Sequence, residues 1–98
     1  MSLVIYKYAL DLAEKTTVTM PSVCQILKID YQDGIGPFVW ALVDPDSVPT
    51  DNVFHVFGTG HPIPETVDSR ASHLATFQQS PFVWHVFGPE RLLRGNLR

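Results

Sequence analysis

The stretch VCQILKIDYQDGIGPFVWALV, residues 23–43, decides the fold. It reads as strand, turn, strand. Residues 23–32 alternate: Val23, Gln25, Leu27, Ile29 and Tyr31 share one face, and Cys24, Ile26, Lys28 and Asp30 share the other. Asp33-Gly34 is a hairpin signal, because glycine takes positive φ without steric cost. Residues 38–43, FVWALV, then run without a polar side chain, which suits a strand buried on both faces.

The same reading extends outward in both directions. Residues 3–10 and 16–20 are strands, separated by a turn or short helical excursion at 11–15 and closed by Pro21. Residues 44–52, DPDSVPTDN, read as a loop with no room for an element. Residues 53–57 form the next strand. GTGHPIPETVDSR is a connection, with one short helical turn near 65–71. Residues 72–78 and 82–87 make a final pair around Gln79-Ser80-Pro81. Residues 89–98 form a helical or flexible tail, with Leu92, Leu93 and Leu97 set against Arg91, Arg94 and Arg98. The expected fold is mainly β: a small antiparallel sandwich or half-open barrel with a short C-terminal helix. One sheet with that helix packed on it, an α+β arrangement, is the alternative.

Ninety-eight residues make a single domain, 1–98, and a hydrophobic fraction of 45% makes it globular. A domain of this size buries only about 60–65% of its unfolded surface, so a second subunit is expected to cover part of it. Cys24 is the only cysteine, which excludes an intrachain disulfide and reads as a small buried hydrophobe. The start, MSLVIYKYAL, meets Lys7 before an apolar run reaches leader length, and no run approaches the ~18 residues of a membrane span. A cytosolic chain is the expectation.

Charge is unevenly spread. Residues 1–69 carry a balance of −6 and residues 70–98 one of +3, and all four arginines lie in that second part. The net charge of −3 would repel duplex nucleic acid. Arg70, Arg91 and Arg94 could still neutralise a small anion, since guanidinium matches phosphate geometry.

Two hexapeptides, VFHVFG (53–58) and VWHVFG (83–88), differ at one position. The spacing to the related PFVWALV stretch is unequal, so this is no solenoid. The hexapeptides read as core strands with His55 and His85 as satisfied, half-buried residues. No metal is expected of His55, His61, His73 and His85, which lack zinc-site spacing. Gly58, Thr59, Gly60 and His61 offer a backbone and imidazole cradle for an anion, but Pro62 and Pro64 forbid the helix of a P-loop. Thr59 beside His61 suggests a hydroxyl–imidazole pair with no third member, and GxSxG does not occur. Trp84 or Tyr8 could stack a base, with His85 lining the wall. The chain therefore reads as a binding protein, not an enzyme, and as needing no cofactor.

YKYAL, MPSVCQIL, FVWALVDPD, FGTGHPI and ATFQQSPFVWHVF occur in that order. Together they resemble a family of small tailed-bacteriophage proteins of undefined function, over about residues 5–87; GPERLLRGNLR lies outside the match. The resemblance implies a phage-encoded, oligomeric, β-rich domain acting in the host cytoplasm. The chain is similar in size, aromatic content and clustered arginines to phage oligomers that sequester nucleotide messengers of bacterial immunity. The resulting expectation is a homo-oligomer that holds a small anionic, nucleotide-derived ligand without turnover. A structural or host-interaction protein acting through protein contacts is the alternative, and a small hydrolase using His61 is a weaker one.

Overall fold

The computed structural model describes residues 2–67 and 71–94. Seven strands and one helical turn follow in order: β1 (Val4–Ala9), β2 (Thr16–Pro21), β3 (Cys24–Gln32), β4 (Gly36–Val43), β5 (Pro49–Gly58), β6 (Ala71–Gln79), β7 (Phe82–Pro89) and α1 (Arg91–Arg94). They form two antiparallel sheets, β1-β4-β3 and β2-β5-β7-β6, so the fold is an open β-sandwich with a short C-terminal helix.

Alternation builds the core. Val39, Ala41 and Val43 of β4, with Cys24, Ile26 and Ile29 of β3, face Val18 and Met20 of β2, Phe54 and Val56 of β5, Phe77 of β6 and Val86 of β7. Each fully buried Val, Met or Phe contributes about 1.5–3 kcal/mol relative to exposure. Helix α1 closes one end: Leu92 is wholly buried and the helix sits against β3 and β7. The β3–β4 hairpin turns at Asp33–Ile35, where the Ile35 N–H donates to the Gln32 carbonyl at 2.9 Å and Gly34 takes φ 76°. The β6–β7 hairpin turns through a cis Ser80–Pro81 bond.

Four expectations are corrected. Strand β4 is buried on one face only: Phe38, Trp40 and Leu42 are half-exposed, because no second layer covers the outer side of the three-stranded sheet. The Lys7 ammonium instead shelters this face, 4.2 Å from the Phe38 ring centroid and 5.8 Å from that of Trp40. In β3 a bulge between Ile26 and Lys28 breaks the alternation. Ile26 and Ile29 both point inward as a result, and Leu27 is left exposed. Residues 49–52, read as loop, are the first part of β5; Thr50, Asp51 and Asn52 pair with Met20, Thr19 and Val18. Pro49 and Pro21 meet at the end of that ladder, where a missing N–H costs least. Residues 65–67 form a turn, closed by the Val67 N–H on the Pro64 carbonyl at 3.1 Å, and Ala71 already belongs to β6.

Residues 11–15 bend without forming a helix and run beside β5, where the Ala13 carbonyl accepts from the Val56 N–H at 3.1 Å. The Asp68–Arg70 and Gly95–Arg98 positions of the expected turn and tail lie outside the described residues.

Candidate functional site

Strand parity puts Phe54 and Val56 into the core, so Val53, His55 and Phe57 of β5 come out on the opposite face of the four-stranded sheet. On β7, Val86 faces in, and Val83, His85 and Phe87 share the outer face. A bulge between His73 and Ala75 of β6 keeps His73 opposite Phe87 and Thr76 opposite His85. Three histidines and two phenylalanines from three strands thereby share one surface.

The rings form a continuous layer. His55 stacks parallel to Phe57 with centroids 6.3 Å apart and an interplanar angle of 5°. Phe57 meets Phe87 at 6.3 Å, Phe87 meets His73 at 5.5 Å, and His73 meets His85 at 6.4 Å. The histidines are held. His55 Nδ1 donates to the Glu14 carbonyl at 2.7 Å, which places that ring's proton on Nδ1 and leaves Nε2 as an acceptor. His85 is bonded on both sides, Nε2 to Thr59 Oγ1 at 2.8 Å and Nδ1 to Thr76 Oγ1 at 3.0 Å. Thr76 Oγ1 also bonds His73 Nε2 at 2.8 Å. His55 and His85 are thus half-buried and hydrogen-bonded, but on the outer face instead of in the core. Among the described residues no three His, Cys, Asp or Glu side chains come together in a metal-holding group.

An open groove of about 930 Å³ lies along this face. Val53, His55 and Phe57 floor it; Pro64, Thr66 and Val67 stand on one side and residues 88–91 on another. Glu14, Asp51 and Glu90 supply negative charge at its rim, and Lys15 and Arg91 positive charge. Two of the nearby acids are already engaged: Asp51 accepts from Thr19 Oγ1 at 2.5 Å, and Glu90 pairs with Arg94 at 3.5 Å. Arg91 donates to Asn52 Oδ1, one of the five N–H donors of its guanidinium.

A second, smaller concavity of about 370 Å³ is lined by Gly58, Thr59, His61, Pro81, Phe82, Val83 and Trp84. His61 and Phe82 flank the Trp84 ring at 6.3 and 6.1 Å.

The expected site residues divide between these places. Gly58, Thr59, His61 and Trp84 gather at the smaller concavity, and Gly60 sits in its turn with φ 89°. The cradle amides are largely used within the turn: Gly58 N–H donates to His61 Nδ1 at 3.3 Å, Thr59 N–H to the Val83 carbonyl at 3.1 Å and His61 N–H to the Gly58 carbonyl at 3.0 Å. The Thr59 hydroxyl bonds His85 Nε2 and the Val83 carbonyl, not His61. Trp84 packs partly on the core and donates Nε1–H to Gln79 Oε1 at 3.1 Å. Arg91 reaches the larger groove. Arg94 pairs with Glu90, and Tyr8 lies on the other sheet against the core, so neither joins the set. Arg70 lies outside the described residues.

Lys15, Val53, His55 and Phe57 were not among the expected ligand residues. Strand parity places Val53, His55 and Phe57 on one face, as the structure has them, but does not mark that face as a groove; the approach of Lys15 depends on how residues 11–15 pack along β5. No helix among the described residues is long and apolar enough to cross a membrane.

A domain family of unknown function, DUF7352, matches residues 1–93. No curated protein and no solved structure matches the chain.

Proposed function

We propose, for a chain that belongs to the DUF7352 family, a binding role: a homo-oligomer that holds a small, planar, anionic ligand of nucleotide type without turning it over. The observation that carries this reading is the groove on the outer face of the four-stranded sheet. Its volume falls within the ~300–1,000 Å³ of small-molecule sites. The half-exposed His55 ring, backed by the buried Phe57, offers a stacking surface for a base, and Lys15 and Arg91 offer cations at the rim for phosphate. His55 Nε2 offers an acceptor for an amino group. The concavity beside Trp84 and His61 is a second aromatic surface, suited to a further ring of the same ligand.

A phage-encoded sequestering protein of bacterial immune nucleotides, acting in the host cytoplasm, is the biological role we attach to this chemistry. Thermal-shift measurement across mono-, di- and cyclic nucleotides tests it. A rise in melting temperature for at least one, with the ligand returned unaltered by mass spectrometry, supports the reading. No shift across the panel contradicts it, and a chemically altered ligand would move the assignment to an enzyme.

A second reading rests on the exposed apolar residues Leu3, Val4, Ile5 and Tyr6, which suit a protein contact. A stable protein partner recovered with the chain and no retained nucleotide would favour it.

A further inference from the structure

Four strand edges close the two sheets, and three carry a protective feature. The β3 edge has its bulge at Leu27 and a Lys28–Asp30 ion pair at 3.3 Å, and β3 lies alongside β6. The β6 edge has its own bulge at Leu74. The β2 edge ends in Pro21. Bulges, prolines and charges are the usual devices that keep an edge from pairing with another strand.

Strand β1 has none of these. It pairs with β4 on one side, and no described strand pairs with the other. Its sequence, VIYKYA, is β-branched and aromatic, with Lys7 as its single charge. That charge is turned inward over the sheet, onto the Phe38 ring and to Gln32 Oε1 at 3.0 Å, instead of guarding the edge. Val4 and Tyr6 pair with Val43 and Ala41, on the face that packs into the core. Val43 and Ala41 are wholly buried, whereas Val4 and Tyr6 are 37% and 42% exposed. The inner apolar layer therefore runs to the edge of the sandwich and stops in water.

We infer that β1 is the dimer interface: two copies pair β1 with β1 antiparallel about a two-fold axis, giving one six-stranded sheet across the dimer. The occupant is a second copy because the strand is self-complementary in charge and layer. An axis perpendicular to the sheet must pass through a residue, so that facing side chains lie on the same side. An axis at Tyr6 sets Lys7 opposite Ile5 of the second copy, and one at Ile5 sets it opposite Leu3; neither opposes two lysines. Val4 and Tyr6 of both copies then continue the core layer through the axis. A strand pair of about 20 Å lies at the small end of interface sizes, below roughly 1,200 Å² in total, so the dimer is a weak one. The inference rests on the oligomeric part of the proposed function and not on its ligand.

Sedimentation velocity at chain concentrations from about 1 to 200 μM, a range that brackets a micromolar constant, tests it. The expected result is a dimer at the upper end that dissociates on dilution. Ile5→Lys should abolish it, since Ile5 is 61% exposed and a lysine there faces Lys7 or its own copy in either register. Adding Lys7→Glu restores the dimer only if the axis lies at Tyr6. Should Ile5→Lys fail to fold, hydrogen exchange of the wild-type chain decides, with β1 amides protected at high concentration only. A wild-type chain that stays monomeric throughout overturns the inference. So does a dimer with unprotected β1 amides, or one unaffected by Ile5→Lys. Nucleotide-induced thermal shift is scored separately, so the ligand reading can fail while this interface stands.

Discussion

Among the described residues Asn52 is the buried polar side chain of the core, 1% exposed. Its Nδ2 donates to the Thr50 carbonyl at 3.1 Å and its Oδ1 accepts from Arg91. Replacing Asn52 with Ala leaves the guanidinium without that acceptor and should cost about 1–3 kcal/mol, measured by urea unfolding. Tyr8 presents the opposite case. Its hydroxyl is buried with no hydrogen-bond partner, so Tyr8→Phe should leave stability unchanged or raise it by up to about 1 kcal/mol. Burial pushes the Tyr8 hydroxyl above its ordinary 10.0, with the nearby Cys24 and Tyr6 charges adding to it. Burial likewise pushes the Cys24 thiol above 9.0, and Arg91's charge and hydrogen bond pull partly against it. Both groups hold their protons more tightly folded than unfolded. Their stabilising contribution is complete below those ordinary values and is lost as pH rises past them, Cys24 first. The unfolding midpoint should therefore fall from about pH 9 upward, and Cys24→Ala should flatten the first part of that fall. A midpoint that rises over this range would contradict the assignment.

At the scale of elements, close packing fixes two glycines and one leucine. A Cβ on Gly88 would meet Leu74 Cδ1 at 2.8 Å and Phe54 Cδ1 at 3.1 Å. Gly88→Ala should cost about 1–3 kcal/mol through overpacking where β7 leaves the sheet. A Cβ on Gly58 would meet the His61 ring at 2.9 Å and Trp84 at 3.3 Å, so the exits of the two repeated hexapeptides serve packing. Leu92 anchors α1 in the core, and Leu92→Ala should cost about 2–5 kcal/mol despite the helix having only four residues. Most of the strands were legible because their signals are local: residues 23–32 alternate, Asp33-Gly34 marks the turn, and residues 38–43 form a β-branched and aromatic apolar run. The bulges at Leu27 and Leu74 were not legible, since a bulge is a relation between two strands and the second strand decides it. Residues 49–52 carry Pro and Asp and read as loop; their pairing with β2, 28–34 residues away by register, overrides that composition.

For the molecule as a whole, the sheet order β2-β5-β7-β6 decides what becomes a site. It brings His55, Phe57, Phe87, His73 and His85 onto one surface, though they span 33 residues of chain, from 55 to 87. It also separates residues that looked like partners, leaving Tyr8 on the other sheet and Arg94 on Glu90. Periodicity could show that His55 and His85 sit beside aromatic neighbours. It could not show that Lys15 arrives at the same groove, because that follows from the path of residues 11–15 along β5. The central claim, a nucleotide-type site in this groove, is tested most directly by titrating the ¹⁵N-labelled chain with AMP, ATP and cyclic dinucleotides and mapping amide shift changes. The account predicts saturable changes clustered at residues 14–15, 53–57 and 88–91 for at least one of them. No saturable change with any, or changes confined to residues distant from the groove, would contradict it.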